Sequence, residues 1–125
     1  MKNIVTAQYY IPKNNMFIVS ERIHTLVQSR IGRLIKINSL YVSHIIDCAR
    51  VPSFSIFIEE QPSADPQLPS FDRTYIYKDI PVPNNSCIVV LDKNQSFVLK
   101  DRQTLYIECS HHNSISAFVN YDEIY

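Results

Sequence analysis

Thiol and imidazole groups are the side chains of this sequence best suited to nucleophilic or metal chemistry, and it has three cysteines and four histidines. These groups lie close together in sequence at one position, formed by Cys109, His111 and His112. A structural zinc site needs four ligands, usually in two close pairs, and His24 and His44 are far away in sequence. We therefore interpret the cluster as a strand end followed by a solvated turn, and we predict no metal site.

Nucleophilic catalysis by cysteine needs a partly exposed thiol in an activating environment. Cys87 and Cys109 both lie in apolar stretches, and we expect them to be inert thiols in the core. The third cysteine, Cys48, leaves an odd count at wide spacing, which argues against a disulfide framework.

The acidic residues do not form a recognisable catalytic pair. Most of them, such as Asp92 and Asp101, flank turn signals, where carboxylates accept hydrogen bonds from backbone N–H groups. The single glycine, Gly32, excludes glycine-rich phosphate loops. We predict a protein that is not an enzyme, with no catalytic residues, no cofactor and no small-molecule substrate.

The charge balance also narrows the classes of partner. Lys plus Arg and Asp plus Glu each total 12, so the net charge is zero. Proteins that bind nucleic acid carry a basic excess that displaces counterions from phosphate, so we expect no nucleic-acid partner. No apolar run approaches the length that spans a bilayer, and residues 1–10 lack the apolar core of a signal peptide, so we expect no membrane association.

Apolar and polar residues alternate along several segments, which is typical of half-buried strands. Residues 23–30 also carry apolar side chains at helical spacing, and we favour a strand there because the sheet would otherwise lack partners. Many short strands with frequent turns predict an all-β fold, a two-sheet antiparallel β-sandwich of the jelly-roll type with about eight strands. The clearest alternating segments are 53–59, 104–109 and 114–121.

Proline, asparagine and aspartate mark the expected turns, since glycine is nearly absent. We predict turns at 12–15, 81–85, 92–94 and 111–113. The proline-rich stretch 61–70 is interpreted as an extended surface loop inside one domain. We therefore predict that residues 1–20 form an N-terminal arm or strand and that residues 21–125 form a single sandwich domain.

The C-terminal half contains a series of strand and turn segments: TYIYKDIPVPNNS (74–86), CIVVLD (87–92), FVLKD (97–101), TLYI (104–107) and NSISAFVNYDEI (113–124). In order and spacing these segments resemble a recurring small structural protein of tailed bacteriophages. Residues 34–43 and 54–58 are similar to the first core strands of that family. Where the family has a turn glycine, this chain has Asp101-Arg102-Gln103, and we expect the turn to persist because Asp tolerates a left-handed backbone better than most residues.

The resemblance implies a virion subunit of the capsid decoration, neck or tail accessory type, without catalytic residues. Its expected partners are further copies of itself, as a homo-oligomer, and other phage structural proteins, and its expected location is the virion. The candidate interface residues are Tyr9, Tyr10, Leu68, Phe71, Phe118 and Tyr125. Two alternatives remain open: a soluble sandwich that binds a host or a sugar, and a small inhibitor of a host enzyme.

Overall fold

The computed structural model describes residues 10–29, 33–45, 51–60, 72–111 and 113–124. These ranges contain nine strands and one short 3-10 helix, Lys93–Gln95, between the sixth and seventh strands. The strands are β1 (Tyr10–Ile18), β2 (Ile23–Gln28), β3 (Leu34–His44), β4 (Ser53–Glu60), β5 (Asp72–Pro81), β6 (Cys87–Leu91), β7 (Phe97–Leu99), β8 (Gln103–Cys109) and β9 (Ile115–Ile124).

Two antiparallel sheets pack face to face. Sheet I has the strand order β1-β9-β3-β6, with β7 also paired to β3, and sheet II has the order β2-β8-β4-β5. Because β6 and β7 pair with successive parts of β3, they act as one interrupted strand. The first strand then pairs with the last, the second with the last but one, and so on inward, which is the winding of a jelly roll. The predicted all-β, two-sheet antiparallel sandwich is confirmed.

The segment with mixed periodicity forms a strand, as predicted, over its described residues 23–28. The predicted turn at 12–15 is wrong, because β1 runs through it. Proline is tolerated there since β1 is an edge strand, where a missing N–H need not interrupt a ladder. Asn15, in the same strand, faces the sandwich interior, and its Nδ2 donates a hydrogen bond to the carbonyl of Leu26 at 3.0 Å.

Several non-glycine residues adopt the left-handed backbone that glycine would otherwise supply. Asn85 and Asn113, both in predicted turns, have φ of 58° and 64°. The turn expected at Asp101-Arg102-Gln103 is present, but Arg102 and not Asp101 adopts the left-handed backbone, with φ of 69°. The Gln103 N–H donates to the Lys100 carbonyl at 3.2 Å, which makes Arg102 the third residue of the turn. That is the position at which a type II turn requires positive φ.

The core lies between the inner faces of the two sheets. Inward-pointing positions of β8 and β9 follow the predicted alternation, and Leu105, Ile107, Ile115 and Val119 are fully buried. Side chains of β3 and β4 fill the space opposite them. The alternation therefore assigns one side of each strand to the core and leaves the other side to form the outer face of its sheet.

The outer face of sheet II is closed by its own side chains. Phe57 points outward, yet it is fully buried. The rings of Tyr75 and Tyr106 flank it with centroids 5.2 Å away, and the guanidinium of Arg73 lies 4.2 Å above its ring. Glu59 accepts from Arg73 Nε at 2.8 Å, and hydrogen bonds to Tyr75 and Glu59 raise the pKa of Arg73. This small second core leaves little apolar surface for a partner.

We expect Phe57→Ala to lower the free energy of unfolding by about 3–5 kcal/mol, since it removes the ring that Arg73 and two tyrosines cover. Urea denaturation measures the loss. The matched control is Phe118→Ala, the same truncation at a half-buried position on the outer face of sheet I. Equal losses for the two variants would contradict the second core.

Candidate functional site

The outer face of sheet I carries a row of apolar side chains. Register partners in antiparallel strands point to the same side, so partners on successive strands lie next to one another. Met16 lies opposite Phe118, Phe118 opposite Tyr41, and Tyr41 opposite Val89. Met16 is 73% exposed and Val89 56% exposed, while the rings of Tyr41 and Phe118 are 6.2 Å apart. We call these four residues the apolar row.

Exposed apolar residues concentrate on this sheet. Next to the apolar row, Ile18 is more than half exposed, and at the opposite end of the sheet Tyr10 and Leu34 flank Ile124. Within the described ranges, sheet I has more large exposed hydrophobic side chains than sheet II, in which Ile23 is the exposed one. Those of sheet I are Tyr10, Ile11, Met16, Ile18, Leu34, Val89 and Val98. Among the described residues, sheet I therefore carries more exposed apolar surface than sheet II.

A polar groove of about 990 Å³ adjoins the apolar row on the same face. It forms where the register between β3 and β9 shifts around Asn38, which inserts an extra residue into β3. Asn38 Nδ2 donates to Asp122 Oδ2 at 3.0 Å, and Asn120 Nδ2 donates to Ser39 Oγ at 2.8 Å. The groove is lined by Pro12, Lys13, Asn14, Lys36, Asn38, Ser39, Tyr41, Asp92, Asn94, Asn120, Tyr121 and Asp122.

A buried carboxylate anchors one end of sheet I. Glu123 is 4% exposed on the inner side of β9 and forms ion pairs with Lys13 at 3.1 Å and Arg33 at 3.0 Å. Burying a carboxylate is costly unless it is paired, and both partners supply that pairing. This cluster was not predicted from the sequence, although the alternation along β9 places Glu123 on the same inward side as Val119 and Tyr121.

The structure places two of the six candidate interface residues. Tyr10 lies on the edge strand β1, 55% exposed, and Phe118 lies in the middle of the apolar row. The other four candidates, Tyr9, Leu68, Phe71 and Tyr125, and the whole loop 61–70 lie outside the described residues. The structure brings Phe118 together with Met16, Tyr41 and Val89, which sequence reasoning did not single out.

The two described cysteines differ in their surroundings. The expectation of a core thiol is wrong for Cys87, which is exposed because its register opposite Ser43 puts it on the outer face of sheet I. The buried position of Cys109 is confirmed, and its Sγ lies 3.5 Å from the carbonyl oxygen of Glu21. Burial, and to a smaller extent the carboxylate of Glu108, raises the pKa of the Cys109 thiol.

Histidine and acidic side chains do not gather around a common centre in the part of the chain that the structure describes, where no group of three or more metal-ligating residues occurs. His111 Nδ1 lies 2.8 Å from the hydroxyl of Ser110, and His112 falls outside the described residues. Within the described ranges there is also no helix with the length and apolar character needed to cross a membrane.

Comparisons of the chain with protein-family models, curated proteins and solved structures gave no match.

We expect Cys87 to react with iodoacetamide in the native protein and Cys109 to react only after unfolding. Cys87 is exposed, whereas Cys109 is buried and its raised pKa lowers the thiolate fraction. Peptide mass spectrometry after timed labelling measures both sites in one sample. Comparable native labelling rates at Cys87 and Cys109 would contradict the burial of Cys109.

We expect Glu123→Gln to lower the free energy of unfolding by about 2 kcal/mol, because it removes the charge that pairs with Lys13 and Arg33. The control is Asp122→Asn, the same change at the neighbouring outward position, with a loss below about 1 kcal/mol. Urea denaturation at neutral pH compares the two. A loss for Asp122→Asn as large as that for Glu123→Gln would rule out the buried cluster as a structural anchor.

Proposed function

We propose that this chain is a non-catalytic structural subunit of a tailed-phage virion, of the capsid decoration, neck or tail accessory type, which acts by packing against other protein subunits. The observation that carries the proposal is the difference between the two outer faces. Sheet II covers its own Phe57, whereas sheet I leaves Met16 and Val89 more than half exposed in one continuous row. A contiguous apolar patch on a small domain marks an interaction surface.

The occupant proposed for the apolar row is a second copy of this chain within a symmetric homo-oligomer. The net charge of zero means that two copies meet without overall Coulomb repulsion. The row crosses β1, β9, β3 and β6, a width of roughly 14 Å at the usual spacing between strands. Aromatic and methionine side chains such as Phe118, Tyr41 and Met16 are enriched at the centres of protein interfaces.

The jelly-roll winding and the resemblance of residues 74–124 to tailed-phage structural proteins support the virion part of the proposal. Jelly rolls are the architecture of many viral capsid domains, although the fold hosts other functions as well. The rigid sandwich provides a block that keeps the apolar row in a fixed geometry, which is what repeated assembly of identical subunits needs.

We expect the protein to form a homo-oligomer that Met16→Glu or Val89→Glu dissociates. A carboxylate at either position would be buried without a partner, and we expect the dissociation constant to rise about tenfold or more. Analytical ultracentrifugation over a range of protein concentrations measures this constant.

The matched control is Ile23→Glu, the same kind of change at an exposed apolar residue on the outer face of sheet II. It should leave the oligomer intact. A wild-type protein that is monomeric at high concentration, or a control as disruptive as Met16→Glu, would contradict the proposed assembly face. Flanking genes that encode no capsid, portal or tail protein would count against the virion assignment itself.

A further inference from the structure

We propose that the polar groove on sheet I, beside the apolar row, binds a neutral oligosaccharide. The groove has the size of a small-molecule site: its volume of about 990 Å³ falls at the upper end of the usual range, roughly 300–1,000 Å³. A space of this size on a sheet face suits several linked sugar rings better than one. The inference concerns a ligand and does not rest on the proposed oligomer.

The polar groups of the groove match a polyhydroxylated ligand. Planar amides and carboxylates offer neighbouring donors and acceptors, which suit adjacent hydroxyl groups on a sugar ring. Asn38 and Asn120 each use one N–H in a bond to Asp122 or Ser39, which fixes the orientation of the amide. Each amide still has a second N–H and a carbonyl oxygen to offer, and Asn14 projects into the same groove from β1.

An aromatic ring borders these amides. Tyr41 lines the groove and lies beside Phe118, with the two ring centroids 6.2 Å apart and the ring planes tilted by 40°. The C–H face of a sugar ring is apolar and packs on an aromatic surface, while the hydroxyls at its rim reach the surrounding polar groups. The aromatic ring can therefore pack against the apolar C–H face of a saccharide, while the fixed amides beside it form hydrogen bonds with the hydroxyl groups.

The charges of the groove favour a neutral ligand. Lys36 lies with Asp92 and Asp122 among the lining residues, whereas the side chain of Lys13, the register partner of inward-facing Tyr121, points to the inner side of sheet I. The Lys13 ammonium is already paired with Glu123 at 3.1 Å. A phosphate, a nucleic acid or a sulfated glycan would need a local excess of positive charge, which these lining residues do not provide.

The polar groove and the apolar row share Tyr41 and otherwise occupy different parts of the sheet. Asn14 and Asn120 are register partners, and each lies two positions from Met16 and Phe118 along its own strand, about 7 Å away. A neighbouring subunit on the apolar row would compete with a ligand at Tyr41, whereas the far part of the groove, around Asp122 and Lys36, lies away from the row.

The test begins with a printed array of neutral and anionic glycans, followed by nuclear magnetic resonance titration of the best neutral glycan into the labelled protein. We expect shifts in the amide signals of Asn14, Asn38 and Asn120. We expect Asn14→Ala and Asp122→Ala to weaken binding about tenfold or more, since each removes a polar group from the groove. Asn14 lies on an exposed position of β1, so its variant keeps the fold.

The matched control is Gln28→Ala, which removes an exposed amide from β2 in sheet II and should leave the affinity unchanged. Retention of no neutral glycan on the array, binding of anionic glycans alone, or undiminished binding by Asn14→Ala would each overturn the proposal. Ultracentrifugation of Asn14→Ala separates this outcome from the assembly proposal, because we expect the oligomer to persist in that variant.

Discussion

The pairing of β9 with both β1 and β3 is the constraint on which the rest of the structure depends. β9 is a central strand of sheet I, and its residues 116–124 each have one register partner in β1 and one in β3. Its odd-numbered residues, such as Val119, fill the core, and its even-numbered residues, such as Phe118 and Asn120, form the outer face. The same alternation therefore sets the core, the apolar row and the polar groove, because a shift by one residue would exchange the two sides.

The two outer faces differ in how far their apolar side chains are covered by neighbouring residues. On sheet II, the guanidinium of Arg73 and two tyrosines cover Phe57, and Glu59 fixes the guanidinium in place. On sheet I, Met16 and Val89 have no comparable cover from the described residues. The face that closes over itself adds stability, whereas the open face offers apolar surface next to fixed amides. This asymmetry is the physical basis of both proposals, a subunit contact on one part of sheet I and a saccharide on another.

The sequence predicted the fold class because period-two alternation is strong where one side of a strand is buried, as at 104–109 and 115–121. It could not predict the site, because rows on a sheet depend on which strands pair and in what register. The bulge at Asn38 moves Ser39 opposite Asn120, and no pattern in the local sequence predicts this shift of register. Cys87 was misplaced for a similar reason: its strand is short, and only pairing with β3 decides which side it faces. Pro12 failed as a turn signal because edge strands accept proline.

The winding of the two sheets also governs the order in which the protein matures on the ribosome. Tyr10 pairs with Ile124, so the earliest described strand waits for the latest one. β2 likewise waits for β8, and β3 lacks its main neighbour until β9 has emerged. Contacts this distant in sequence close slowly, and open strand edges on a nascent chain invite aggregation. Until β8 and β9 emerge, β1, β2 and one edge of β3 therefore lack their partners, whereas β4 can already pair with β5, the next strand in the chain.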